Sequence, residues 1–137
     1  MEGNEHIESQ VEKIAKKIKG AFCLRGNVMV SFPTKHPETG RRMEEQLKKI
    51  SMVMSRAFGG TTEWEGWGCW VEEGKNEPIC EPVRIFYSAH DCFTDSKAPQ
   101  EFFKTLKEVG LEGKQKALFV NAEGTSYIFS PEAEIEE

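Results

Sequence analysis

The chain has 137 residues, a formal net charge of -5 at pH 7 and a pI near 5.4. That length suits one domain able to bury a core without metal or disulfide support, and the acidic balance weighs against a general nucleic-acid binder that grips phosphate through a basic face. No apolar run approaches the roughly 18 residues of a membrane span, and the opening MEGNEHIESQ is acidic where a secretion signal is basic and then apolar, so a soluble cytoplasmic protein is expected.

From Glu5 to Lys19, the residues Ile7, Val11, Ile14, Ala15 and Ile18 recur at helical spacing, with Asn4 placed to cap the start and Gly20 to end it. Acids (Glu2, Glu5, Glu8) precede lysines (Lys13, Lys16, Lys17, Lys19), the order a helix dipole favours, so the lysines read as a solvated helix end. In FCLRGNVMVSFP, Val28, Val30 and Phe32 alternate and Pro33 stops the run, which predicts a strand. The polar TKHPETG then leads into a helix from Arg41 to Phe58, striped by Met43, Leu47, Ile50, Met54 and Phe58. Its methionines read as core filler, and Gly59 with Gly60 supplies a left-handed end.

The segment Phe58 to Ser88 holds all three tryptophans and two of the four cysteines. Two extended runs, Thr61 to Val71 and Ile79 to Ala89, meet across EEGKNEP, which predicts a hairpin. The register that puts Trp70 opposite Ile79 and Trp64 opposite Ile85 gathers the large apolar groups on one face, and a slip of one residue would split them. Gly66 and Gly68 leave a hollow on that face where a helix could approach, so it reads as the core face. The other face then pairs Cys69 with Cys80, Trp67 with Pro82, Glu65 with Arg84 and Glu63 with Phe86. It is half apolar, and is either covered or a binding surface.

After HDCFTDSKAP, a third helix carries Phe102, Phe103, Leu106 and Val109 and ends between Gly110 and Gly113. A strand from Lys116 to Asn121 turns through Ala122-Glu123-Gly124 into a last strand, Thr125 to Ser130. The predicted fold is α+β: a ferredoxin-like βαββαβ sandwich with an added N-terminal helix and a short C-terminal strand, one domain over residues 1–130, and a frayed acidic tail over 131–137. The predicted core is Val28, Val30, Phe32, Leu47, Ile50, Met54, Trp64, Val83, Ile85, Phe102, Leu106 and Leu118 or Phe119. Both crossover helices fall on one sheet face, which leaves the first helix to cover the other face, its own or that of a second copy. A homodimer is the expected assembly.

Phe58-Gly59-Gly60-Thr61, Gly68-Cys69-Trp70, Gly74, Glu81-Pro82 and Gln115-Lys116-Ala117-Leu118 form a pattern over Phe58 to Phe129. It resembles a prokaryotic family of small proteins of unknown function, marked by F-x-G-x-T closing a helix, G-x-W, a turn glycine and a late strand opened by glutamine. The resemblance implies the strand order and no chemistry.

Candidate chemistry is sparse. Cys69, Cys80, His90 and Cys92 are the residues a metal would take, and Cys92 with His90 the pair a thiol nucleophile would need. No CxxC spacing supports either, so no metal or cofactor is expected. The cysteines should be free thiols in an ordinary cytosol, although the Lys and Glu bias fits hot environments, where intracellular disulfides occur. Glu63, Glu65 and Glu81 lie near tryptophans and are the available acids and bases, but Glu65 facing Arg84 reads first as an ion pair. FGGTT follows a helix, whereas a phosphate loop precedes one. The function expected on these grounds is a non-catalytic partner-binding, ligand-binding or oligomerising domain whose surface comprises Trp64, Trp67, Trp70, Glu65, Arg84 and Phe86. An enzyme with a site near the tryptophan hairpin is the alternative. An RNA binder stacking bases on Trp67 and Phe86 comes third, since PVRIFYS lacks the K/R-G-F/Y-G/A-F motif.

Overall fold

The computed structural model describes residues 7–91 and 97–136. Its first helix, α1, spans only Gln10–Ala15. Ser9 caps it: the Ser9 hydroxyl accepts the Glu12 N–H at 3.2 Å, and the Glu12 carboxylate accepts the Ser9 N–H at 3.1 Å, a reciprocal capping box. The expected cap, Asn4, lies outside the described residues. Past Ala15 the chain tightens into three-residue turns, with Lys17 N–H donating to Ile14 and Ile18 N–H to Ala15. The helix is shorter than its apolar spacing predicts because so short a segment gains little from propensity and, among the described residues, this one finds no surface to pack on. Val11, Ile14 and Ile18 stay 77%, 62% and 60% exposed, so α1 does not cover the sheet of its own chain.

The remaining elements follow the predicted order: β1 (Gly26–Pro33), α2 (Glu44–Phe58), β2 (Thr62–Val71), β3 (Pro78–His90), α3 (Lys97–Glu112), β4 (Leu118–Ala122) and β5 (Thr125–Phe129). Gly59 ends α2 in the left-handed conformation, φ 93°, its N–H bonded to the Ser55 carbonyl. The five strands form one antiparallel sheet in the order β2-β3-β1-β4-β5. The fold is α+β, with α2 and α3 packed together on one face of this sheet. Gly110 permits the close approach of α3, since a Cβ there would lie 2.9 Å from a Leu118 methyl and 3.0 Å from Pro131.

Beneath the helices sit Val28, Val30 and Phe32 of β1, Phe86 of β3, Leu118 and Val120 of β4, Leu47, Ile50, Val53 and Met54 of α2, and Phe102, Leu106 and Val109 of α3. Phe102 packs edge-on against Phe58 and Phe103 at ring-centroid distances of 5.3 and 4.9 Å. The two fully buried polar side chains here are satisfied: the Ser88 hydroxyl donates to the Gly60 carbonyl at 2.7 Å and Thr34 bonds the Pro82 carbonyl.

The hairpin register is the predicted one along its whole length, from Thr62 opposite Tyr87 to Val71 opposite Pro78. Its faces are reversed from expectation. Pairing of β1 with β3 sets Val30 beside Phe86, and Val30 is covered by the helices, so the face shared by Glu63, Glu65, Trp67, Cys69 and Phe86 is the one that turns inward. Trp64 and Ile85 therefore point to the other side, in one row with Ser31, Phe119 and Ile128 across all five strands. Trp64 is 44% exposed, while Phe86, expected on the open surface, is completely buried. No helix enters the hollow at Gly66 and Gly68. It is filled by the hairpin itself: added Cβ atoms would come within 3.3 Å of Ile85 and 3.1 Å of Val83. Two faces of similar apolar content cannot be ranked from the hairpin alone, and the neighbouring strand decides.

Phe86→Ala should cost about 3–5 kcal/mol in denaturant unfolding, as for other buried aromatics. Trp64→Ala should cost a small fraction of that. The reverse order would place the helices on the opposite side of the sheet.

Candidate functional site

Where the chain enters α2, the Met43 N–H bonds the Thr34 carbonyl at 2.8 Å and Lys35 bridges Arg42, which ties the helix start to the end of β1. The first turns of α2 thereby stand against the β2–β3 hairpin. Glu44, Leu47, Lys48 and Ser51 recur at helical spacing along the side facing it. With Glu45, and with Glu63 and Arg84 from the hairpin, they line an open cleft of about 410 Å³.

Charge in and around this cleft alternates. Arg84 Nε donates to Glu65 at 2.8 Å and its Nη1 lies 3.6 Å from Glu63. Glu63 also accepts the Ser51 hydroxyl, and Arg42 reaches Glu65 at 3.4 Å while bonding Glu44. The Arg84 and Arg42 guanidiniums hold the Glu65 carboxyl below the usual carboxylate range, and Glu44 followed by Glu65 raises Arg42. The Glu65 side chain is half exposed, with Arg42 somewhat less and Arg84 only a quarter exposed, so solvent screening limits what the Glu65 pairs contribute to stability. One rung beyond Glu65 on the same face, opposite Pro82, stands Trp67, 73% exposed. One rung further the hairpin is closed by a Cys69–Cys80 disulfide. These two cysteines are cross-strand neighbours as the register requires, with Cα atoms 4.1 Å apart, and are bonded rather than free.

Of the six surface residues expected from the sequence, the fold gathers Glu65, Arg84 and Trp67 on one face. It places Trp64 and Trp70 on the other and removes Phe86 into the core, which also removes Phe86 as a base-stacking residue for RNA. The sequence reading missed Arg42, Glu44, Glu45, Lys48 and Ser51. The spacing of residues 44, 47, 48 and 51 contained that signal, but nothing local says that this side of the helix meets the hairpin.

Among the described residues the possible metal set does not come together. Cys69 and Cys80 are bonded to each other, His90 lies ten residues along β3 from Cys80, roughly 33 Å at strand rise, and Cys92 lies outside the described residues. His90 serves a different purpose. It stacks on Phe58 at 5.1 Å, its Nε2 is 2.7 Å from Glu123, and its Nδ1 is 3.0 Å from the Asp91 carbonyl. Both ring nitrogens thus face oxygen atoms of neighbouring residues. Glu123, at a positive φ of 51°, also accepts the Asn27 N–H at 2.7 Å, so this pair straps the far end of the sheet. Glu81 lies on the uncovered face opposite Gly68, where burial raises its carboxyl above the usual range.

No protein-family model matches the chain, and no curated protein does. Solved structures that share its fold include a phage SAM lyase in complex with S-methyl-5'-thioadenosine and a phage SAM lyase in the apo state. Each is 15% identical, with a TM-score of 0.53, over 82% of this chain and 92% of that chain. Both are enzymes, and this finding corrects the expectation of a non-catalytic binding domain.

The two perturbed carboxyls should give opposite pH signatures in thermal melts. Glu65 has a depressed folded pKa, so its contribution is present above the unfolded value and lost as pH falls through the folded one; Glu65→Gln should destabilise at neutral pH and converge with wild type in acid. Glu81 has a raised folded pKa, so its contribution is present in acid and lost as pH rises through that value. Glu81→Gln should therefore raise the melting temperature at pH 7 and have little effect in acid. Destabilisation by Glu81→Gln at pH 7 would mean that the carboxylate has a partner.

Proposed function

We propose that this protein is an enzyme, a lyase acting on a sulfonium nucleoside of the S-adenosylmethionine kind, with its site at the cleft between α2 and the hairpin. One observation carries the reading: on a fold shared with a SAM lyase, Glu63 and Arg84 line a cleft, and Glu65 and an exposed Trp67 follow Glu63 on the same face of the hairpin beside it. The strand order β2-β3-β1-β4, with α2 and α3 as the crossovers, supports the finer description of that fold as ferredoxin-like, extended by α1 and β5.

The residue types suit such a substrate part by part. An indole offers a flat face to adenine, and the same π-face attracts a sulfonium cation. Carboxylates at Glu63 and Glu65 complement the cationic sulfur or the ammonium of the amino-acid arm, and the Arg84 fork suits its carboxylate. The charges are already paired in the protein, so a ligand that carries both signs of charge exchanges one set of ion pairs for another. In a lyase step the bond from sulfur to the amino-acid carbon breaks and its electron pair stays on sulfur, which leaves as the neutral thioether of S-methyl-5'-thioadenosine. The remaining fragment balances the charge by closing on its own carboxylate or by giving up a proton, and Glu63 is the cleft carboxylate whose hydrogen-bond partner, Ser51, is itself exchangeable.

Purified protein incubated with S-adenosylmethionine should release S-methyl-5'-thioadenosine, read by liquid chromatography and mass spectrometry, at a rate proportional to protein concentration. Arg84→Ala should lower kcat/KM by roughly 10²-fold or more, and Trp67→Ala should act mainly on KM. Absence of product above the uncatalysed background would sink the lyase reading, and activity indifferent to both substitutions would move the site elsewhere.

A further inference from the structure

The sheet face turned away from α2 and α3 is nearly free of charge. Among its described strand residues the single charged side chain is Glu81, although close to a third of the chain is Asp, Glu, Lys or Arg. In its place the face exposes Trp64 (44%), Trp70 (44%), Ile79 (38%), Phe119 (39%) and Ile128 (72%). The five strands together present roughly 650 Å² of flat face at strand spacing and rise, close to the ~800 Å² per partner of a standard interface. Depletion of charge at the centre of such a patch, with aromatic residues in its place, is the composition of an interface core.

From this face we infer that the protein self-associates sheet to sheet, with the open face of a second copy as its occupant. The charge pattern selects that partner. A nucleic acid needs cations, and this face has none. A protein of net charge -5 repels its own copies over most of its surface, but not here, where two identical faces meet without a like-charge pair except at Glu81. Glu81 is also the group whose charged form burial already disfavours, so covering it costs least. The row of Trp64, Ile85, Phe119 and Ile128 is self-complementary in chemistry, as an isologous contact requires. This inference does not depend on the lyase reading, since the cleft lies on the opposite face.

The test is light scattering on the full chain after size exclusion, with wild type beside the double variant Phe119→Glu, Ile128→Glu. Both positions are solvent-exposed in the single chain, and circular dichroism and melting confirm that the variant folds. Wild type should have a multiple of the 15.6 kDa chain mass and the variant the single mass. Wild type that stays monomeric at high micromolar concentration overturns the inference and gives the face to an unlike partner, as does a variant that stays assembled. Deletion of Met1 to Gly20 should leave the assembly intact. If it dissociates, the α1 stripe is the contact and the sheet-to-sheet proposal fails. S-methyl-5'-thioadenosine release, measured on the same samples, reports separately on the lyase reading.

Discussion

Antiparallel pairing of β1 with β3 is the constraint from which the rest follows. It seats Val30 beside Phe86, and since both are completely buried, that single rung determines which side of the hairpin faces α2 and α3. Because side chains alternate with a period of two, one rung settles the direction of every residue on β2 and β3. Glu63, Glu65 and Trp67 go to the helix side and Trp64 and Trp70 to the open side as a consequence of a contact two strands away.

The candidate site uses a boundary that this constraint creates. The hairpin is longer than the helices that cover it, so its inward face passes from full burial at Phe86, through the charged rung of Glu65 and Arg84, to open water at Trp67. A cleft forms where coverage ends. Its charges are close enough to satisfy one another and wet enough to exchange partners, the condition under which a polar ligand can enter without leaving a buried charge unpaired. The disulfide beyond Trp67 holds the two strands together where no helix supports them.

The two faces of one sheet thus have different chemistry. The covered side concentrates charge at its margin, and the uncovered side is apolar and almost uncharged. An aromatic-rich hairpin read without its neighbours separates these two surfaces, Trp64 on one and Trp67 on the other, but does not say which of them the helices cover.

Local chemistry alone determined a good deal. The order of elements after the first helix, the left-handed glycine end of α2 and the whole hairpin register were legible because each depends on periodicity, turn residues or the pairing of large side chains within a short segment. The stripes of α2 and α3 were legible for the same reason. The inward face of the hairpin, the burial of Phe86, the isolation of α1 and the meeting of Ser51 with Glu63 were decided by tertiary structure, since each depends on residues distant in sequence. Apolar spacing from Ile7 to Ile18 says that a helix has a greasy side. Only the packed molecule shows that its own sheet never meets it, because helix stability in water comes from a partner surface and the described chain provides none.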